Sequence, residues 1–371
     1  MKILQIGKFY PIRGGVEKVM YDIMLGLSQR GVSCDMLCAA AEDEQPGVLS
    51  LNENARLIIM PALIKCAATM ISPAMISTLR KIKDDYDVIH IHHPDPMACA
   101  ALFFSGYKGK VLLHWHSDIL KQKMMLKIYQ PMQKWLIDRA DLIIGTTPVY
   151  VSRSPFLQKV QSKVGYIPIG VDRIVPDGEV VRQIRRCYPG KRIVFSLGRL
   201  VEYKGYEYLI KAARYLTDDY VILIGGTGPL KEELQALIKE EGQENKVRLL
   251  GYVSDDELPH YFGACDLFCL SSIQKTEAFA IVQIEAMSAG KPVVATKIQD
   301  SGVSWVNDHT VSGFNVEPRN ACAIAEAIET VLSDNQVYDR LVEGALERYD
   351  SLFTKEKMVD LCLSIYKKML Q

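Results

Sequence analysis

Glu277 and Glu285 stand eight positions apart in the stretch Lys275-Thr-Glu-Ala-Phe-Ala-Ile-Val-Gln-Ile-Glu-Ala-Met-Ser-Ala-Gly290. Glu277 falls in a polar loop. Glu285 falls in an apolar segment, 279–289, that reads as a helix stopped at Gly290. A helix start carries unpaired backbone N–H groups and the positive end of a dipole, a seat for phosphate. Carboxylates beside such a seat can accept hydrogen bonds from sugar or ribose hydroxyls. The window alone fits a capping glutamate and a solvated one equally well.

Other residues with chemical potential sit at similar strand-to-helix turns. In Ser196-Leu-Gly-Arg-Leu-Val-Glu-Tyr-Lys-Gly205 two cations follow an apolar run. Arg199 can grip a phosphate with two N–H groups, and Lys204 adds a point charge. Gly14-Gly15 and Ile224-Gly-Gly-Thr-Gly-Pro229 let backbone approach a ligand closely. Neither is a G-x-G-x-x-G fingerprint, and neither ends in the Gly-Lys-Ser/Thr of a P-loop. His90, His92 and His93 end one apolar run, and His114-Trp-His116 ends the next. Histidines one residue apart on a strand share a face, which is a metal-ligand pattern. No carboxylate or cysteine at ligand spacing completes the set, so no metal is expected. A single histidine that hydrogen-bonds a ligand, His116, is the preferred reading.

Short apolar runs alternating with helical patterns must position these groups. Runs at 2–7, 33–38, 57–59, 88–92, 111–115, 142–146 and 164–167 alternate with helical patterns at 15–30, 96–104 and 122–139. A second series follows a linker at 170–179, with strands at 192–198, 220–225, 247–251, 267–270, 292–296 and 313–316. Helices are expected at 205–216, 229–241, 255–264, 321–332 and 336–348, and a last one at 354–370. Alternation of this kind predicts parallel sheets covered by helices on both faces. With 371 residues, two domains of this type are expected, 1–170 and 171–353, with helix 354–371 packing back on the first.

The combination and order of these motifs resemble the retaining glycosyltransferases of family 4. That family's hallmark, Glu, seven residues, Glu, then Ala-Met, is matched from Glu277 to Met287, and Gly-Arg-Leu followed by Lys-Gly is matched from Gly198 to Gly205. The resemblance covers nearly the whole chain. It implies the GT-B fold: α/β, two facing Rossmann-like doubly wound domains with ligands in the cleft between them. It implies that a sugar nucleotide is co-substrate, with no cofactor. Arg199 and Lys204 would neutralise the diphosphate leaving group. Glu277 would contact the donor sugar and Glu285 the ribose. Phe279, Ala280 and Ile281 would present amides to sugar and phosphate, with Gly14, Gly15 and Gly228 lining the donor. Tyr252 and Val253 would lie near the base. His116 would touch the donor sugar at the reacting centre. The family commonly has glycine where this chain has Ala278 and Ala280. Their methyls crowd the place expected for the sugar.

The region from Glu277 to Trp305 is most similar to bacterial mannosyl- and rhamnosyltransferases of surface polysaccharide assembly. GDP-mannose is therefore the expected donor, with a UDP-sugar as the alternative and a sugar-nucleotide epimerase of the same fold further off. A glycan or lipid-linked acceptor is expected.

Charge and composition refine this. Residues 1–170 carry 20 Lys+Arg against 14 Asp+Glu, the remainder 24 against 30. The first half is basic and the second acidic. The cations Lys108, Lys110, Lys121, Lys123, Lys127, Lys134 and Arg139 interleave with Met124, Met125, Leu126, Ile128 and Tyr129. This pattern makes an anionic membrane surface a candidate partner, with segment 62–76 adding apolar contact. No run reaches the roughly 20 apolar residues of a membrane span, and no signal peptide is read. A cytoplasmic protein, peripheral at the inner face of the membrane, is expected, with no nucleic-acid partner. All nine cysteines read as reduced core thiols.

Overall fold

The computed structural model describes residues 1–12, 14–41, 44–66, 69–119 and 123–371. It divides into two compact units, Met1–Gly170 with Lys355–Gln371, and Val171–Thr354. The first unit is built on an eight-stranded sheet. Its strands are β1 (Lys2–Tyr10), β2 (Ser33–Ala40), β3 (Gly47–Asn52), β4 (Ala55–Met60), β7 (Val88–His93), β8 (Lys110–Trp115), β9 (Leu142–Gly145) and β10 (Val164–Tyr166). Between β4 and β7 a separate two-stranded hairpin forms from β5 (Ile64–Cys66) and β6 (Thr69–Ile71). The order is β10-β9-β8-β7-β1-β2-β4-β3, all neighbours parallel except the β3–β4 pair. The order turns back beside β1, whose neighbours are β2 and β7.

The second unit holds β11 (Arg192–Leu197), β12 (Tyr220–Gly225), β13 (Val247–Gly251), β14 (Leu267–Leu270), β15 (Val293–Thr296) and β16 (Gly313–Val316) in the fully parallel order β13-β12-β11-β14-β15-β16. Its strands read as continuous apolar runs because helices cover both faces. Val194, Ile222, Leu267 and Val294 pack with Leu209, Ile210, Ile324 and Ile328 of the covering helices. The reversal of order falls between β11 and β14, the point at which a doubly wound sheet opens a crevice at its carboxyl edge.

Local chemistry sets the ends of the elements. Asp95 caps the helix Pro96–Ser105, accepting from Met97 N at 2.9 Å and Ala98 N at 3.0 Å, and Gly106 at φ 68° closes it. The helix expected over 279–289 is shorter, Ile281–Ser288, because Ala280 is held at φ 62° and cannot join it. That left-handed conformation suits glycine better than alanine. The helix Gly178–Arg186 begins inside the expected linker, capped by Asp177. The edge strand β3, the β5–β6 hairpin and the helix Pro73–Ile82 were not expected. Segment 62–76 is therefore no uniform apolar surface: Leu63 and Ile64 are exposed, whereas Met70, Ser72 and Met75 are buried.

The eight cysteines with described side chains are free. Six are buried, but Cys187 and Cys322 are exposed on helix surfaces and are not core thiols as expected.

The helix Lys355–Leu370 closes the first unit. It lies on the helix Gly15–Gln29, where Gly26 leaves room for Val359: a Cβ on Gly26 would lie 2.5 Å from Val359 Cγ2. Arg30 Nε donates to Asp360 at 3.0 Å, and Tyr366 Oη pairs with His90 Nδ1 at 2.7 Å. We predict that Gly26→Val lowers stability by about 1–3 kcal/mol in urea titrations through this collision. Adding Val359→Ala should recover most of the loss.

Candidate active site

In the second unit, the groups singled out by sequence follow the carboxyl ends of successive strands. Arg199 and Lys204 come after β11, Gly228 after β12, Tyr252 and Val253 after β13, and Glu277 after β14. Since β11 and β14 are neighbours, Lys204 meets Glu277 at the reversal of strand order. Lys204 Nζ lies 2.5 Å from Glu277 Oε2, both side chains about nine-tenths buried. Ser272 Oγ donates to the same oxygen at 2.9 Å. Both contacts use Oε2, and Oε1 is engaged in neither. Burial alone would lower the Lys204 pKa. The Glu277 carboxylate, with the Tyr206 and Tyr203 hydroxyls, outweighs it and holds Lys204 above its ordinary value. Lys204 was expected as a cation for phosphate; its first partner here is Glu277.

Backbone contacts hold this pair in place. Ser271 Oγ donates to Lys204 O at 2.9 Å, and Ile273 N to Tyr203 O at 2.8 Å, tying the β11 loop to the β14 loop. Gly302 N donates to Ala278 O at 3.0 Å, and Ser301 Oγ to Glu277 O at 2.5 Å. Gly205, at φ 63°, sits where a Cβ would lie 2.4 Å from Ser271 O. Gly228 has a similar cause: a Cβ there would lie 2.3 Å from Leu200 O. Both glycines are thus accounted for by backbone packing, whatever else they serve.

Around the pair, Arg199 is exposed and Phe279 and Ala280 are buried at the start of the helix Ile281–Ser288, with Ile281 partly exposed. Glu285 is half-buried in its second turn. Val253 packs so closely that a Cβ on Gly225 would lie 2.8 Å from it, whereas Tyr252 is 74% exposed.

Gly14, Gly15 and His116 belong to the first unit. Gly14 caps the helix Gly15–Gln29, and the buried Glu17 carboxylate folds over it, with Oε2 2.2 Å from where a Cβ would be. His116 follows β8 and its backbone N donates to His93 O at 3.0 Å. Its Nε2 lies 2.9 Å from His92 Nδ1, and His92 Nε2 lies 2.8 Å from Gln5 Oε1. The loop after His116 is pinned by Asp118, which accepts from Trp115 Nε1 at 2.9 Å and Ser154 Oγ at 2.7 Å.

Strand register brings more histidines together than spacing suggested. His92 pairs with His114, and Gln5 with His90, across adjacent strands. His90, His92 and His114 each place one nitrogen within 4.8 Å of the others. A group of three histidines therefore forms without the carboxylate or cysteine whose absence argued against a ligand set. Burial is the first cause that depresses these imidazoles, with neighbouring charges adding to it for most. His93 and His114 fall to about 3, and His90, His92 and His116 fall well below their ordinary value.

Gln5, Glu17, Asp118, Ser272 and Ser301 were not singled out by sequence, and His92 was read only as part of a possible metal-ligand pattern. Gln5 had a readable signal, a lone amide inside the apolar run of β1. Ser272 and Ser301 had none, because each acts on a segment distant in sequence.

Residues 13–173 match the family described as Glycosyltransferase Family 4, and residues 178–348 match Glycosyl transferases group 1. The O-antigen chain mannosyltransferase C of Escherichia coli is 29% identical over 375 residues, covering 100% of this chain and 99% of that protein. The D-rhamnosyltransferase WbpZ of Pseudomonas aeruginosa is 27% identical over 361 residues, 95% of this chain and 92% of that one. Among solved structures, a sucrose-phosphate synthase from Thermosynechococcus elongatus superposes with TM-score 0.79 at 21% identity, covering 100% of this chain and 99% of that one. Anabaena HepE in complex with UDP gives 0.78 at 21%, covering 99% and 100%.

The Lys204–Glu277 pair carries its own prediction. Lys204→Met strands a buried carboxylate and should cost about 3 kcal/mol at neutral pH. Urea titrations at pH 7 should show the loss as a lower midpoint at unchanged slope.

Proposed function

The chain belongs to the family 4 glycosyltransferases, a hexosyltransferase of GT-B fold, and from that premise we propose that it moves mannose from GDP-mannose to a lipid-linked or oligosaccharide acceptor, with retention at the anomeric carbon, in surface glycan synthesis. The observation that carries this reading is the buried Lys204–Glu277 pair at the strand reversal of the second unit. Breaking a glycosyl–phosphate bond builds negative charge on the departing diphosphate. Fixed cations in a partly dry site stabilise that charge without reorganising. Arg199 is free to grip the diphosphate with its fork, and Lys204, fixed by Glu277, supplies a charge that cannot swing away. Glu277 Oε1 accepts from donor sugar hydroxyls, and Glu285 from the ribose. The amides at Phe279, Ala280 and Ile281 face the sugar and phosphate, and Gly14, Gly15 and Gly228 give the donor close backbone approach. Tyr252 stacks on the base beside Val253. His116 meets the sugar at the reacting carbon.

Mannose and D-rhamnose are the sugars named for two relatives matched over most of the chain, which supports a GDP-linked donor. HepE was crystallised with UDP and with UDP-glucose, so a UDP-sugar is the alternative. GDP at a hundredfold excess over its dissociation constant should stabilise the protein by about 2.7 kcal/mol. Melting curves should therefore rise further with GDP than with UDP. The reverse order would move the donor to a UDP-sugar. Glu277→Gln keeps shape and the Ser272 contact while removing the charge, and should lower turnover by roughly 100-fold. Wild-type turnover in that variant would remove Glu277 from the chemistry.

The acceptor reading adds a membrane surface. No described helix is long and apolar enough to cross a membrane. On the helix Lys123–Arg139, Lys127 is exposed and Ile128 is 83% exposed, while Lys134 pairs with Asp138 and Arg139 with Asp141. Lys121 lies outside the described residues. Flotation with vesicles containing anionic lipid at low salt should carry the protein up, less so for Ile128→Glu; equal recovery in the dense fraction with and without vesicles would refute surface binding.

A further inference from the structure

Gln5 is a fully buried amide inside β1. Its Nε2 donates to the Met20 carbonyl oxygen at 2.9 Å and lies 3.6 Å from Cys34 Sγ. A carbonyl oxygen can only accept, so the amide orientation is determined: Oε1 is the atom turned to His92. Oε1 in turn can only accept. The proton between Gln5 and His92, across 2.8 Å, therefore sits on His92 Nε2.

His92 is completely buried, and burial together with His90, His114, His116 and Lys8 keeps it neutral. A neutral imidazole carries one N–H. With Nε2 protonated, His92 Nδ1 is a bare lone pair. His116 Nε2, 2.9 Å away, must be the donor of that hydrogen bond. His116 is buried and neutral for the same reasons, so its own Nδ1 is left without a proton. It finds no partner among the described residues.

We propose that Gln5 and His92 are positioning residues that lock His116 in its Nε2–H tautomer, so that His116 meets its ligand with an accepting Nδ1 and takes a hydroxyl group in preference to a phosphate oxygen. The ligand half rests on the placement of His116 at the donor sugar proposed above; the tautomer half does not. A lone pair on His116 binds a sugar hydroxyl, which donates, and repels a phosphate oxygen, which has no proton to give. The other tautomer would donate from Nδ1 and so admit a phosphate oxygen as readily as a hydroxyl, losing the preference.

The same three-histidine cluster could be read as a metal site, but both nitrogens of His92 are committed. That leaves His90 Nε2 and His114 with open nitrogens, short of the three or four ligands that zinc takes.

The test is a two-bond 1H–15N correlation spectrum of the full chain labelled in its histidines, with resonances assigned by single-histidine variants. His92 and His116 should both show the Nε2–H pattern from pH 8 to about pH 5.5, with no imidazolium signal. An Nδ1–H or imidazolium pattern for His116 overturns the lock, as does displacement of the His92 and His116 signals on adding stoichiometric Zn2+. His92→Asn places a carbonyl oxygen where Nδ1 was and should keep His116 in the Nε2–H form. His92→Leu should release His116 into a mixture and lower turnover about 10–100-fold, the loss that His92→Asn largely restores. A His116 signal unchanged in a folded His92→Leu overturns the proposal. Wild-type turnover in His116→Ala, with the tautomers as stated, overturns the ligand assignment alone.

Discussion

The second unit is organised around the cost of taking two charges out of water. Lys204 and Glu277 are separated by more than seventy residues, and each would be expensive to bury alone. They are affordable together because β11 and β14 are adjacent, which puts the two loops side by side. The surrounding details serve that constraint. Ser272 satisfies a lone pair of the carboxylate, Ser271 and Tyr203 lock the two loops, and Gly205 allows the backbones to close.

The first unit meets the same constraint by the opposite route. Its carboxyl edge also carries a cluster of ionisable side chains, but they are imidazoles without carboxylate partners. Burial keeps them uncharged, and hydrogen bonds orient three of them: His92 to His116 and Gln5, and His90 to Tyr366. One unit thus presents a fixed charge and the other a fixed pattern of donors and acceptors.

Much of this was legible in the residues. Parallel strands covered by helices leave short, mostly apolar runs, so nearly all of β11 to β16 could be read directly. Edge strand β3 could not, because its exposed residues carry no such pattern, and the β5–β6 hairpin is too short to show one. The helix after Phe279 begins late because a single backbone dihedral, at Ala280, overrides good helix propensity. Arg199, Lys204, Glu277 and Glu285 stood out by residue type and spacing, but their expected roles came from the family resemblance. That Lys204 would pair with Glu277 was not legible, since it depends on which strands are neighbours. The pairing of His92 with His114 was hidden likewise, because register decides it.

The helix Lys355–Leu370 has a consequence for the order of events in making this protein. It supplies Tyr366 to His90 and Val359 to Gly26, so the first unit lacks part of its covering layer until residues 355–370 exist. A ribosome must therefore synthesise the entire second unit before the first can close. Until then the strand face bearing His90 lacks that part of its cover.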